Sequence, residues 1–329
     1  MRSHQLQRRE FITLLGSAAG VWSLAAGAAA KRPRIGVLTL LSRQDEGGRI
    51  ADFVAGLREL GHIEGQNLDL DYRYADGDTE RLNTLARELI GLAPDVIYAG
   101  EPSAARAVKR AAPDAPIVCP VLSDRLPDLF VSYARPGGSV TGIASIVEDL
   151  NGKQVELALD VVPGMVRIGV LVNSTGANRD FVTQQTEAAA LARGVTTLVQ
   201  QARRPEDLAT AFDRFAKAQA QAVIVAPNAM FINQRRSIVE LALAARLPTI
   251  FQDHGDVQAG GLASYGVDER ENRRRSALFV DKILKGARPV DLPIEFPTKL
   301  LLAVNLKTAR ALGITISPAV LARADEVIE

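Results

Sequence analysis

Val166–Asn173 reads VRIGVLVN, and its core, RIGVL, already stands at Arg34–Leu38 within RIGVLTL. Each copy is a continuous run of β-branched and leucine residues of strand length, which suits a strand covered on both faces. A longer segment with helical spacing follows each one. After the first copy, Phe53, Leu57 and Leu60 fall on one face of DFVAGLREL (Asp52–Leu60), with Gly61 as a stop. The alternation continues with strand LDLDYRY from Leu68, helix ERLNTLARELI from Glu80, strand DVIYAG from Asp95, helix SAARAVKRAA from Ser103 and strand PIVCPVL from Pro116. After the second copy come a helix over Gln184–Ala192, strand TTLVQQ from Thr196 and helix PEDLATAFDRFAKA from Pro205. Strand AVIVAP from Ala222, helix INQRRSIVELALAA from Ile232 and strand LPTIFQD from Leu247 complete the series. Strands alternating with helices imply parallel β-α-β units with right-handed crossovers. The halves even end alike, with VTGIAS from Val140 matched by GLASYG from Gly261. A duplicated open α/β unit is the simplest account, so two similar Rossmann-like lobes with parallel sheets are expected.

Upstream of the first copy the chain has a different character. A polar, basic lead from Met1 to Glu10 runs into an apolar stretch from Phe11 to about Ala26, then GAAAK. That is the layout of a cleavable export signal. Arg8 and Arg9, followed by Glu10, Phe11 and Ile12, resemble the twin-arginine signal for folded proteins. Ala28 and Ala30 place cleavage after Ala30, so residues 1–30 are read as signal. A transmembrane anchor over Phe11–Ala30 is the alternative, and the Gly, Ala and Ser content of the run argues against it. The expected location is the periplasm.

The remaining roughly 300 residues suit two domains. Charge is nearly balanced, with Lys plus Arg 39 against Asp plus Glu 38. No long basic stripe interleaved with aromatics occurs, so no nucleic-acid partner is expected. RENRRR at Arg270–Arg275, with its Glu neighbours, reads as a solvated helix face. The single cysteine, Cys119, sits in an apolar run and reads as a buried thiol. No G-x-G-x-x-G follows the first strand, no Walker motif occurs, and GGSVTG from Gly137 misses the spacing of a nucleophile elbow. His62 and His254 lack metal-spaced partners. His254 within QDHGD could pair with Asp253 or Asp256 as a base, but no nucleophile stands near it in sequence. Neither catalysis nor a cofactor or metal is expected.

In open parallel sheets, ligands bind outside the carboxyl ends of the strands, where strand order reverses. Two facing lobes would line a shared cleft with those ends. The candidates are Leu41 and Ser42, Gly100–Ser103, Ser123 and Asp124, Asn173–Asn178, Pro227 and Asn228, and Gln252–His254. In GEPSAA from Gly100, Ser103 reads as a helix N-cap beside N–H groups able to hold a carboxylate. Glu101 beside it would suit an ammonium group. Together they favour a zwitterion such as an amino acid.

Several long stretches carry a resemblance: FVAGLRELGHIEGQNLDLDYRYADGDTERL, APDVIYAG, ARPGGSVTGIAS and LPIEFPTKLLLAVNLKTARALGITISPAVLARADEVIE. In order from Pro33 to Glu329, they resemble the ABC-transporter substrate-binding proteins of the tryptophan/tyrosine-type family. The resemblance implies a type I periplasmic-binding-protein-like fold with hinge segments near Val140–Ser145, Gly261–Val267 and Lys299–Asn305. Lobe 1 would then take residues 31–143 with 268–298, and lobe 2 residues 144–267 with 299–329. It further implies capture of a small solute by hinge closure, with delivery to an ABC permease and its ATPase, by a monomer not inserted in the membrane. The family's cleft contacts would fall on Ser42, Glu101, Pro102, Ser103, Ser123, Asp124, Asn173, Asn178, Asn228 and Tyr265; Gln252 joins them as a strand-end candidate. The chain departs from the family's pattern at Glu101 and at Asp124-Arg125, both at the expected cleft. A ligand-presenting sensor subunit and an exported enzyme on the same fold are the alternatives.

Overall fold

The computed structural model describes residues 32–123, 127–145, 149–176 and 179–329. The stretch read as an export signal, Asp124 and Asn178 lie outside the described residues.

The first lobe follows the predicted alternation. Strands β1 (Arg34–Thr39), β2 (Asp69–Tyr74), β3 (Val96–Ala99), β4 (Ile117–Leu122) and β5 (Val140–Ala144) form a parallel sheet in the order β2-β1-β3-β4-β5. Helices α1 (Arg43–Glu59), α2 (Thr79–Gly91) and α3 (Pro102–Ala111) connect them. The order reverses between β1 and β3, so the loops after those two strands flank a crevice. Both faces of the sheet are covered, which explains its continuous apolar strands. Leu82, Ala86, Leu89, Ala104 and Val108 of α2 and α3 pack on one face. On the other, Phe53 and Leu57 of α1 pack with Tyr98, the Phe53 and Tyr98 rings stacking at 4.0 Å.

The second lobe holds β6 (Arg167–Asn173), β7 (Thr196–Ala202), β8 (Ala222–Val225), β9 (Thr249–Phe251), β10 (Ala263–Val267), β11 (Leu300–Asn305) and β12 (Glu326–Ile328). Their order is β12-β11-β10-β9-β8-β6-β7, with the reversal between β6 and β8. The pairing of β10 with β11 is antiparallel, because both strands cross between the lobes in opposite directions. Helices α4 (Leu150–Val161) and α5 (Arg179–Leu191) cover one face, and α6 (Asp207–Lys217) with α8 (Arg235–Ala244) the other. The single helix expected from Ile232 is two: α7 (Ala229–Asn233) and α8, broken at Gln234, whose N–H is shared between the Met230 and Phe231 carbonyls. Helix α9 (His254–Gln258) follows β9; α11 (Leu306–Leu312) and α12 (Pro318–Arg323) close the chain before β12.

Helix α10 (Glu269–Leu284) leaves β10 and packs on the first sheet, burying Ala277, Phe279 and Val280 beside α1. Gly56 permits the close approach of the two helices, since a Cβ there would lie 2.2 Å from the Arg274 carbonyl oxygen. Within β4, Pro120 has no N–H for the ladder, and the register with β5 shifts between Cys119 and Leu122. Buried Asn272 of α10 compensates, donating from Nδ2 to the carbonyls of Pro120 (3.4 Å) and Ala144 (3.3 Å). Asn272→Ala leaves both acceptors dry, and urea unfolding should show a loss of about 1–3 kcal/mol; an unchanged midpoint would mean that water serves these carbonyls.

Candidate functional site

The two strand-order reversals face each other across the cleft, and the residues there sort into those the fold has already committed and those it leaves in the gap. Ser42 follows β1 and caps α1, its hydroxyl accepting from Asp45 N and donating to Asp45 Oδ2 at 2.6 Å. Its N–H reaches the other lobe, donating to Asn233 Oδ1 at 3.3 Å. Glu101 follows β3, the other strand at the reversal. Its carboxylate spans the crevice floor, accepting from Thr39 Oγ1 (2.9 Å), from Leu40 N (2.8 Å) and from Ser103 Oγ (3.3 Å). It ties the ends of β1 and β3 together.

The reading of Ser103 as the N-cap of α3 is corrected. Pro102 occupies the first helical turn, where its missing N–H costs nothing, so Glu101 becomes the cap residue and Ser103 lies inside the helix. Ser123 stands half-buried after β4.

In the second lobe, Asn173 ends β6 and is buried, its Oδ1 accepting from the N–H and the hydroxyl of Thr175. Asn228 caps α7 through a bond from Met230 N at 2.9 Å. Gln252 follows β9 and lines, with Asn228, a small cavity at the ends of β8 and β9. Tyr265 lies on the crossing strand β10, packs against the second lobe's core, and accepts from Gln154 Nε2 at its carbonyl. Ser42, Asn228 and Gln252 therefore come to the cleft, while Tyr265 lies along the crossing.

Charged residues that sequence reasoning left aside dominate the contact between lobes. Arg49 of α1 reaches Asp253 Oδ2 at 2.5 Å and Glu269 Oε2 at 2.9 Å. Arg235 of α8 stands 3.7 Å from Asp45 in the first lobe and 3.9 Å from Asp256 in its own. Arg273 joins Glu269 at 2.8 Å. Asp253 also caps α9 through Gly255 N. Burial would raise its carboxyl, but Arg49, then His254 and Arg273, outweigh that and hold it below the usual range. Asp256 goes the other way: burial, then the adjacent Asp253 charge, push it up to about 8 against Arg235 and Arg49. The sequence shows the first-lobe side of this cluster only as the charge run RQDEGGR (Arg43–Arg49) opening α1, with nothing that ties it to Asp253 or Asp256.

Cys119 is buried in β4, and burial pushes its thiol up to about 12, so little of it is in the nucleophilic thiolate form. His62 lies outside the cleft, on Asp281 at 2.9 Å. No group of metal-binding side chains occurs among the described residues, and no helix among them is long and apolar enough to cross a membrane.

Known proteins are similar to this chain. A tyrosine-binding protein of Clostridioides difficile is 22% identical over 283 residues, covering 86% of this chain and 81% of that protein. A conserved domain protein of Vibrio cholerae superposes with a TM-score of 0.84 at 26% identity, over 90% of this chain and 100% of its own. An ABC domain from Streptococcus pneumoniae in complex with L-Trp gives a TM-score of 0.83 at 25% identity, with the same coverage of both chains. Residues 34–328 match the family described as ABC transporter substrate binding protein, and the chain belongs to that family.

Proposed function

We propose that this substrate-binding protein captures an amino acid or related zwitterion in the periplasm, closing its two lobes around the solute and presenting it to an ABC permease. The observation that carries this reading is the facing of the two lobes' strand ends: the Ser42 N–H donates to Asn233 and Arg49 pairs with Asp253 across the cleft, beside the cavity that Asn228 and Gln252 line. A ligand between such lobes gains contacts from the second lobe only on closure, which is the differential affinity that closing requires. The relatives named for tyrosine and for L-Trp support the amino-acid class. The twin-arginine-like start supports export, and a monomer then serves as the soluble carrier. Capture assigns no reaction to the cleft.

The test is a thermal-shift panel on residues 31–329 covering amino acids, short carboxylates, amines and sugars, with the solute recovered and analysed afterwards. A solute at about 100 times its dissociation constant should add roughly 2.7 kcal/mol, a rise on the order of 5 °C. A rise confined to amino acids, with the solute recovered unchanged, supports the reading. A rise with sugars alone overturns the solute class, and conversion of the solute overturns capture in favour of an enzyme.

A further inference from the structure

Between the ends of β8 and β9 and the start of α10 lies a cavity of about 20 Å³ lined by Asn228, Phe231, Gln252, Asp253, Asp256 and Glu269. A water-sized group needs roughly 10–15 Å³ on this scale, so the space takes one polar head group rather than a whole solute.

Its three carboxylates are not alike. Asp253 is committed to Arg49 and Gly255 N, and Glu269 to Arg49 and Arg273. Asp256 is 7% exposed, lines the cavity and makes no hydrogen bond through its carboxyl among the described residues. Its nearest cation, Arg235, has Nε at 3.9 Å donating to the Ile232 carbonyl, and its Nη2, 3.7 Å from Asp45, is buried without a hydrogen bond, so Arg235 makes no hydrogen bond to Asp256. With no protein donor, its carboxyl takes its hydrogen-bond partner from whatever occupies the cavity.

The charges around it indicate what that is. Facing Asp256 are Asp253 at the start of α9, Arg235 from α8, Arg49 from α1 and Glu269 from α10. Asp45 stands behind Arg235, Arg273 behind Glu269, and His254 beside Asp253 at 3.6 Å. Apart from His254, four carboxylates meet three guanidinium groups, and Asp52 stands beside Arg273 and His254, so negative charge is in excess. The carboxylate that sequence reasoning offered to an ammonium group, Glu101, is meanwhile bonded to the ends of β1 and β3.

We propose that Asp256 is the specificity-determining residue that receives the ammonium group of the captured solute, in the cavity it shares with Asn228 and Gln252. The inference rests on the zwitterion reading above and names the residue that would enforce it. Before solute binds, near neutral pH, burial keeps a proton on Asp256, and that proton removes one carboxylate charge from the group. The arriving ammonium brings its own positive charge and takes the proton's place: Asp256–COOH and R–NH3+ give Asp256–COO⁻ paired with R–NH3+, and one proton passes to solvent. Binding should therefore release up to one proton at pH 7. Affinity should tighten by up to about tenfold per pH unit as pH rises toward about 8.

The experiment is isothermal calorimetry on wild type and Asp256→Asn with the twenty standard amino acids, the primary amines and desamino acids of the same side chains, and a set of sugars. Each titration is run in two buffers of different ionisation enthalpy. Asn keeps the shape and neutrality of the protonated carboxyl, and circular dichroism checks that the variant is folded; proton release by wild type needs no variant at all. The expected result is binding of an amino acid or amine by wild type with proton release, a loss of about a hundredfold in Asp256→Asn, and equal, weak binding of the desamino acid by both. Equal affinity of the amino acid for both proteins, or binding without proton release, overturns the role of Asp256 and leaves amino-acid capture standing. Binding of desamino acids or sugars alone, or of nothing in the set, overturns both.

Discussion

In an Arg49→Met variant the two lobes are expected to separate. Arg49 of α1 reaches both Asp253 of the second lobe and Glu269 at the start of α10, and its own side chain is 12% exposed. Removing one partner of a buried pair ordinarily costs about 3–5 kcal/mol, because the other charge stays dry. Here the protein has a cheaper route. Opening the cleft returns Asp253 and Glu269 to water without unfolding either sheet, so the penalty appears as a change of conformation. A bias of even about 3 kcal/mol shifts the closed-to-open ratio more than a hundredfold. Small-angle scattering on the solute-free protein should show a larger radius of gyration for Arg49→Met than for wild type. Solute affinity should fall with it, since the bound state loses the same contacts. Arg49→Lys retains the charge but not the fork that serves two carboxylates, and should fall between. Identical scattering from wild type and Arg49→Met would mean that the Ser42–Asn233 and Arg235–Asp45 contacts suffice to hold the lobes together.

Why the alternation of strands and helices is readable while this cluster is not follows from the distance in sequence over which each is determined. The repeated RIGVL, the apolar face of DFVAGLREL and the stop at Gly61 are local signals, and each sheet forms from them in the predicted order along the chain. The break at Gln234 is already less legible, since the periodicity of INQRRSIVELALAA continues through it. The cap of α3 turned on one residue: Pro102 competes with Ser103 for the start of the helix, and proline wins because it tolerates the position without an N–H. That Ser42, Asn228 and Gln252 follow the ends of β1, β8 and β9 is legible, because strand ends come from the local alternation. Glu101 was located correctly as a strand-end residue, but its bond to Thr39, 62 positions away, decides where its carboxylate is spent. Arg49 and Asp253 are 204 positions apart, and no periodicity couples them. Long-range ion pairs of this kind become visible only when both lobes are folded and facing.

Gly142→Ala is expected to be among the most damaging single-methyl additions to the chain. Gly142 lies in β5 opposite Cys119 at a φ of +142°, a conformation that side-chain-bearing residues rarely adopt. A Cβ built there would lie 1.9 Å from the Cys119 carbonyl oxygen, with the carbon and nitrogen of the same residue at 2.8 and 2.9 Å. All three are backbone atoms of the neighbouring strand β4, so no side chain can swing away to make room. Strain at such a φ costs about 1–3 kcal/mol and forcing atoms into a packed interior about as much again, giving roughly 4 kcal/mol in total. That is a large share of the 5–15 kcal/mol of an ordinary domain. The damage also reaches the lobe crossing, because Gly142 accepts from Glu295 N at 3.0 Å and Ala144 N donates back to the Glu295 carbonyl at 2.7 Å. Urea unfolding followed by circular dichroism should show the loss, with Gly48→Ala as the control: Gly48 is exposed within α1 with nothing in reach of a Cβ, and alanine there should add about 0.5–1 kcal/mol. If Gly142→Ala unfolds at the wild-type midpoint, β5 can move off Cys119 at little cost. The close approach is then incidental, and the crossing between the lobes must be held by Asn272 and the Glu295 bridge alone.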